Sequence, residues 1–267
     1  MADQVNAPSL GFIGFGNMAQ AMARGLVEAG ALPGGRIYAT AAHFDKLQAS
    51  TAALGAHACE TAQDVVQASD FVVVAVKPHL VAQVLEPVRD MLAAPGKAVI
   101  SVAAGCGFEF YEEVLAPGTH HLSTIPNTPI AVGAGVVACE QRHSLDDAEL
   151  AAFEELFGQV ALIEWVDGKL LSTASAIAGC GPAFAAMFLE ALGDAGVKHG
   201  LPRAAAYRLA AQMMMGTAKL HLETGTHPGA MKDAVCSPGG TTIKGVASLE
   251  KDAFRGAVVN AIDAIEG

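Results

Sequence analysis

The sequence predicts an α/β chain in which an N-terminal doubly wound sheet is followed by an all-helical C-terminal part. Up to about residue 165, short apolar runs alternate with stretches of helical period. One of these runs, Phe71-Val72-Val73-Val74-Ala75-Val76, has no polar interruption, as expected of a strand covered on both faces in a parallel sheet. Beyond Val166 comparable runs cease, and alanine- and methionine-rich helical stretches take over. The expected division is therefore 1–165 and 166–267.

The elements follow in order. Leu10–Phe15 reads as a strand, and Asn17–Ala29 as a helix with Met18, Met22, Leu26 and Ala29 close to helical period. Arg36–Thr40 is a second strand, Phe44–Leu54 a helix, and Thr61 with Asp64 a capping box opening another helix. Phe71–Val76 is stopped by Pro78, after which Val81–Leu92 has a helical pattern. Ala98–Ala103 is a strand ending in the turn Ala103-Ala104-Gly105. After Leu122–Ile125 the two prolines of Pro126-Asn127-Thr128-Pro129 exclude regular helix, and Ser144 with Asp147 caps a helix reaching Phe157.

Leu170–Leu189 carries no charge and is long enough for a membrane span. Its Ser172, Thr173, Ser175, Gly179, Gly181 and Pro182, and its many alanines, read instead as a helix pair buried in protein or between subunits. Pro202 is placed as the first residue of a helix running through Met213-Met214-Met215 to Leu222, with Gly225 past its end. That helix is apolar nearly all round, which predicts burial on every side. So short a C-terminal domain offers limited interior, so subunit packing is expected too.

The 267 residues include 16 basic and 27 acidic side chains, a formal charge of −11. Hydrophobic residues make up 52% and charged ones 16%, against about 25% charged in an average domain. A chain of this kind buries a large core, which excludes disorder. With no Lys/Arg run it lacks the basic footprint of a nucleic-acid binder. Five scattered cysteines (Cys59, Cys106, Cys139, Cys180 and Cys236) form no C-x-x-C pair, so no zinc or other metal site is expected, and an odd count suits a reducing cytoplasm. Met1–Ser9 shows no basic region leading into an apolar stretch, so no secretory signal is expected there.

Gly14-x-Gly16-x-x-Ala19 carries the clearest chemical signal. Placed after a strand and before a helix, it matches a dinucleotide fingerprint: glycines let the backbone approach a pyrophosphate, and the helix N-terminus offers it unpaired N–H groups. The alternative is a tight strand–helix turn that needs glycine. An NAD site usually carries Asp or Glu at the end of the second strand. Here Tyr38-Ala39-Thr40-Ala41-Ala42-His43 holds none, and the first acid is Asp45. A 2′-phosphate would meet no repulsion, with Thr40, His43 and Lys46 in reach, so NADP(H) is favoured and NAD(H) stays open. Ala75-Val76-Lys77-Pro78 ends a buried strand at the ligand-binding edge of such folds, and Lys77 is either a phosphate or ribose contact or an ordinary solvated lysine.

Ser237-Pro238-Gly239-Gly240-Thr241-Thr242 joins hydroxyls and flexible glycines just before a helical stretch. It reads as a donor pocket for a small carboxylate or as a plain helix cap. His120 and His121, adjacent on a strand, point to opposite faces and cannot chelate one ion together. Cys180, among apolar neighbours, reads as an inert buried thiol.

Taken together the segments resemble the pyrroline-5-carboxylate reductase family. The resemblance rests on Gly-Phe-Ile-Gly-x-Gly-Asn-Met-Ala at 11–19, Ala-Val-Lys-Pro at 75–78, Pro-Asn-Thr-Pro at 126–129, Gly-x-Gly-Pro-Ala at 179–183, Gly-Leu-Pro-Arg at 200–203 and Ser-Pro-Gly-Gly-Thr-Thr at 237–242. It implies a Rossmann domain followed by a helical domain that interlocks two subunits, with dimers commonly assembling into decamers. It implies hydride transfer from NAD(P)H to the C=N bond of 1-pyrroline-5-carboxylate, a small cyclic imine, giving L-proline. The dinucleotide would lie along Ile13, Gly14, Phe15, Gly16, Asn17 and Met18, near Thr40, along Ala75, Val76, Lys77 and Pro78, and at Ala103, Ala104 and Gly105. The substrate carboxylate would sit on Ser237, Gly240, Thr241 and Thr242, with the Thr242 hydroxyl near the ring nitrogen as the catalytic contact. Departures from the family pattern fall at Ala62, Ser123, Ile125, Cys180 and Phe184. A non-catalytic dinucleotide-binding relative is one alternative reading. Another is a β-hydroxyacid dehydrogenase, although no lysine stands between Gly181 and Val197 where those enzymes carry theirs.

Overall fold

A computed structural model describes residues 8–267; residues 1–7, most of the stretch read for a targeting signal, lie outside them. The strands are β1 (Leu10–Ile13), β2 (Ile37–Thr40), β3 (His57–Ala58), β4 (Phe71–Val74), β5 (Ala98–Ser101), β6 (His120–Pro126), β7 (Gly135–Glu140) and β8 (Ala161–Val166). They form one sheet in the order β3-β2-β1-β4-β5-β6-β7-β8, parallel throughout except between β6 and β7. The doubly wound architecture expected from the sequence is the one observed.

Strand periodicity explains why the central strands are apolar on both faces. Phe12, Phe71, Val73 and Ile100 point into one core, with Met22, Ala23 and Leu26 of α1 (Asn17–Glu28). Their alternating neighbours Ile13, Val72, Val74 and Val99 point into a second core. There they meet Val65 and Val66 of α3 (Ala62–Ala68), which follows α2 (Phe44–Ala52). The Thr61–Asp64 capping box of α3 forms as predicted, Asp64 N–H donating to Thr61 Oγ1 at 3.1 Å.

Several predicted elements come out shorter or differently bounded. β1 stops at Ile13 because Gly14 turns to φ +91°. The helix expected over Val81–Leu92 is broken into α4 (Val81–Leu85), a 3₁₀ turn at Glu86–Val88 and α5 (Arg89–Leu92). Pro87 is the cause, having no N–H for the turn behind it. After α6 (Phe108–Val114), α7 (Asp147–Phe157) is capped by Asp146 with Glu149 rather than by Ser144 with Asp147. Ser144 Oγ instead accepts the His121 N–H at 2.8 Å. The strands β3, β7 and β8 were not predicted.

The chain divides between Pro182 and Ala183 into two compact units, whereas the sequence changes character at about residue 166. The first unit ends in α8 (Leu171–Ala174) and a π-helical stretch, Ser175–Cys180, which continues into α9 (Gly181–Lys198). The segment Gly168–Lys198 is thus one helical rod, not the predicted helix pair. By length and composition it qualifies as a membrane span, and 11% of its most apolar window is buried in the single chain.

The second unit continues with α10 (Arg203–Thr224), α11 (Pro228–Ala234), α12 (Thr241–Lys251) and α13 (Phe254–Glu266). Pro202 caps α10 from just outside it, and Gly225 closes its C-terminus at φ +64°. The burial predicted for α10 on every side is absent from the single chain. Only Ala206 and Ala210 are buried, while Leu209 is 61% and Met215 58% exposed. The apolar surface exceeds what these helices cover among themselves, a feature in keeping with the subunit packing expected from the sequence.

Candidate active site

In an open parallel sheet, ligands bind beyond the carboxyl ends of the strands where the strand order reverses, here between β1 and β4. The register Ile13↔Thr40 and Ile13↔Val74 aligns the ends of β1, β2 and β4. Backbone bonds then tie the departing loops together. Gly14 N–H donates to Thr40 O at 2.9 Å, Ala75 N–H to Ile13 O at 2.9 Å and Val102 N–H to Val74 O at 3.1 Å. Ile13, Gly14, Thr40, Ala75 and Ala103 therefore share one sheet edge.

Gly14 combines φ +91° with crowding, since a Cβ there would lie 2.6 Å from Ala75 O and 2.8 Å from Val76 Cγ1. Gly16 is the opposite case: nothing lies within 4 Å of its Cβ position, and it is exposed at the N-cap of α1. No side chain caps α1 and no acid stands in its first turn, so its leading N–H groups face outward unneutralised. Phe15 turns inward as an anchor, 5% exposed and edge-on to Phe12 at 5.5 Å, which leaves only its backbone to the edge. Gln20 Nε2 braces the loop by donating to Phe15 O at 2.8 Å. Asn17, Lys77, Pro78, Ala104 and Gly105 form an exposed rim, with Met18 and Val76 half-buried. A space open in front of Gly16 and an uncapped helix end fit a pyrophosphate.

Ala103 is held from below by a contact that local sequence patterns did not reveal. Its N–H donates to Ser101 Oγ at 3.2 Å, and that oxygen lies 2.6 Å from the hydroxyl of buried Tyr111. Burial pushes the Tyr111 hydroxyl well above its ordinary range, so it stays protonated as a hydrogen-bonding brace.

At the end of β2, His43 is the N-cap of α2 and makes no side-chain cap bond; His43 and Lys46 are exposed. No carboxylate stands between Thr40 and Phe44. Thr40 itself is half-buried.

The second unit holds the other predicted residues. Gly240 N–H donates to Ser237 O at 3.0 Å, closing a tight turn in which Gly239 takes φ +67°. A side chain at Gly240 would collide with Ser237 Oγ. Gly240 is the N-cap of α12, in extended conformation, with no capping side chain and no acid in the first turn. The N–H groups opening α12 lie beside the exposed residues Ser237, Thr241 and Thr242, the donor types that a carboxylate uses. Gly240 is itself the N-cap, so a plain helix cap and a carboxylate pocket share this geometry.

Other candidates resolve differently. His120 Nδ1 meets Glu149 Oε2 at 2.6 Å, while buried His121 turns away to Glu112 Oε1 at 2.8 Å, so the two do diverge. His120, Asp146 and Glu149 cluster closely enough for a metal, but both carboxylates already serve the capping box of α7. Cys180 is half-buried in the π-helical stretch, not fully buried as its neighbours suggested.

Beyond the residues expected from the sequence, Asn127 forms a junction. This residue is 6% exposed and uses all its polar groups. Its Nδ2 donates to Ala178 O at 2.9 Å and its Oδ1 accepts the Val136 N–H at 2.8 Å. Its backbone N–H donates to Val136 O at 3.1 Å, and its carbonyl accepts the Ile130 N–H at 3.2 Å. The available signal was Pro182, a proline inside a helix, which leaves a carbonyl four residues back in need of a donor.

Residues 168–266 match the family model for pyrroline-5-carboxylate reductase dimerisation. Residues 9–105 match the model described as NADP oxidoreductase, coenzyme F420-dependent. The chain is 47% identical over 260 residues to the pyrroline-5-carboxylate reductase of Treponema pallidum, covering 96% of this chain and 98% of that protein. It is 38% identical to that of Escherichia coli, covering 95% and 94%. Among solved structures, the Plasmodium falciparum pyrroline carboxylate reductase with NADP bound superposes with a TM-score of 0.85 at 29% identity, covering 97% and 95%. The Coxiella burnetii pyrroline-5-carboxylate reductase superposes with a TM-score of 0.85 at 32% identity, covering 97% and 96%.

Proposed function

The chain belongs to the pyrroline-5-carboxylate reductase family, and on that premise we propose that it reduces 1-pyrroline-5-carboxylate to L-proline through the residues described above. It is an NAD(P)H-dependent oxidoreductase acting on a C=N bond. The observation that carries the site assignment is the occurrence, one in each unit, of two acid-free helix N-termini without capping side chains, each reached through a glycine turn, one suited to a pyrophosphate and one to a carboxylate.

When bound, the reduced nicotinamide supplies a hydride to the C=N carbon and leaves oxidised; the ring nitrogen, protonated, becomes the amine of proline. The protein's own residues bind and orient. Gly14 and Gly16 bring backbone amides to the pyrophosphate. Ala75–Pro78 and Ala103–Gly105 border the cofactor along the sheet edge. Ser237, Gly240 and Thr241 grip the substrate carboxylate, and the Thr242 hydroxyl holds the ring nitrogen and its proton. A protonated imine is already electrophilic, so placement of the reacting carbon does most of the work, and no acid–base pair is required.

NADP(H) is our preferred cofactor because β2 ends without a carboxylate while His43 and Lys46 stand exposed beyond it. The working protein is a homodimer formed through the helical part, with such dimers joining into a decamer as the further assembly. Five free thiols suit the cytoplasm.

The test is reduction of pyrroline-5-carboxylate by the purified protein, followed by the loss of nicotinamide absorbance with NADPH and with NADH. Failure with both in folded protein overturns the reading. Thr242→Ala is expected to lower kcat/KM roughly tenfold to a hundredfold while leaving the melting temperature in place; unchanged kinetics would remove Thr242 from the mechanism.

A further inference from the structure

We propose that Asn127 is a positioning residue for hydride transfer, acting by supplying the hydrogen bond that Pro182 withholds from the helical rod. An ordinary residue at 182 would donate its N–H to the carbonyl of Ala178, four residues back. Proline has no N–H, and its ring crowds that same carbonyl. The chain answers in two ways. It widens to a π-helical stretch over Ser175–Cys180, and it brings the Asn127 amide to Ala178 O at 2.9 Å.

The location gives this bond its function. Asn127 follows β6 directly, at the carboxyl end of the sheet that also carries the Ala103–Gly105 turn, because β5 and β6 run parallel in the register Ser101↔Ser123. A doubly wound sheet has two mononucleotide-binding halves; on the proposed reading the Gly14–Gly16 loop takes the pyrophosphate between them and the β4–β6 half would take the nicotinamide mononucleotide. The same side chain accepts from Val136 of β7 at 2.8 Å, and its carbonyl anchors the 3₁₀ turn Thr128–Val132. That turn packs so closely on α1 that a Cβ at Gly25 would collide with Ile130 O. One buried amide therefore joins the rod, the nicotinamide side of the sheet and the helix whose N-terminus faces the pyrophosphate. The inference rests on the reductase reading; its structural part stands without it.

Asn127→Asp is the discriminating variant. The carboxylate still accepts from Val136 but cannot donate to Ala178 O, and it places charge against a carbonyl. Protonated, it regains one O–H donor and the full wild-type pattern. Burial raises the carboxyl's pKa in the folded state, so the variant binds more protons folded than unfolded. Its stability therefore falls as pH rises and returns as pH falls.

The expected result at about pH 8 is a kcat reduced roughly tenfold to a hundredfold relative to wild type, with the KM for NADPH within about twofold. The variant-to-wild-type ratio should climb as pH is lowered toward about 5, and the gap in melting temperature should close over the same range. Adding Pro182→Ala returns an N–H to position 182, and the penalty of Asn127→Asp should shrink in that background. A wild-type kcat in Asn127→Asp, or a loss independent of pH and of Pro182→Ala, overturns the proposal. So does a lowered melting temperature with kcat intact, which would mark a purely structural bond. Should Asn127→Asp fold too poorly to assay, hydrogen exchange in wild type and in Pro182→Ala decides. Protection across 175–183 that needs no amide at 127, seen as unchanged exchange in Asn127→Ser, would overturn it. A wild type inactive toward the imine refutes the reductase reading, while a pH-dependent melting gap that Pro182→Ala narrows still establishes the bond.

Discussion

Gly14 and Gly16 sit two residues apart in the same loop, yet the structure assigns them different duties that alanine substitution will separate. At Gly16 the backbone is φ −78°, ψ −168°, a conformation open to any L-residue. An added Cβ meets no atom within 4 Å, so folding has no steric objection. Two small terms remain. Alanine stiffens the unfolded chain, worth about 0.4–1 kcal/mol in favour of folding, and it is a poorer N-cap than glycine, worth about 1 kcal/mol against. They nearly cancel, so Gly16→Ala should melt within a few degrees of wild type. On the proposed reading, however, its methyl would stand where the pyrophosphate approaches, and the expected affinity loss of about tenfold to a hundredfold corresponds to roughly 1.4–2.8 kcal/mol.

Gly14→Ala reverses the pattern. A non-glycine residue at φ +91° costs about 1–2 kcal/mol. The clash with the backbone oxygen of Ala75, which cannot swing aside, adds about 1–3 kcal/mol. At roughly 2–4 °C per kcal/mol for a chain of this size, its melting point should fall by roughly 4–20 °C. Calorimetric titration with NADPH beside thermal denaturation measures both quantities on each variant. A Gly16→Ala protein that binds NADPH as wild type does, or that melts as low as Gly14→Ala, would refute this division of labour.

Three further outcomes are expected. Burial, reinforced by Glu154, pushes the Cys139 thiol far above its ordinary range, so almost no thiolate exists at mildly alkaline pH; a charged thiol reagent near pH 8 should label Cys139 only after unfolding, and labelling of native protein there would contradict its burial. Thr61→Ala removes the reciprocal cap of α3 and should cost about 1 kcal/mol, seen as a lowered denaturation midpoint with an unchanged slope. Leu209→Arg places a charge on the exposed apolar face of α10, and sedimentation should show the oligomer dissociating at concentrations where wild type stays assembled; equal sedimentation would place the contact surface elsewhere.

The parts of the fold legible in the sequence are those decided by local chemistry. β1, β4 and β5 are buried on both faces, so they must be apolar at consecutive positions, and that is visible without a structure. The outer strands are not constrained in this way. β8 alternates half-buried with exposed residues and carries Glu164, and β3 is two residues long. Around residue 146 the sequence offers two overlapping capping boxes, Ser144 with Asp147 and Asp146 with Glu149. The choice between them depends on Ser144 being recruited by His121, a partner distant in sequence. Likewise the glycine loop announces itself because its requirements are local, whereas Asn127 and Ala178 lie 51 residues apart and only folding introduces them. The burial expected of the methionine-rich helix is met within the single chain only at Ala206 and Ala210, because a face that packs against another subunit shows no partner in the fold of one chain.

That last point bears on how each new copy comes into being. The sheet closes its two cores with residues made early, so it has what it needs to settle during synthesis. The helices that emerge last leave Leu209, Met213 and Met215 exposed in the single chain, and subunit association would be what shelters them. Assembly is then a race whose speed rises with the density of newly made copies, and dilution works against it. Dilution, in a cell making few copies or in a laboratory preparation, would leave that apolar face uncovered for longer.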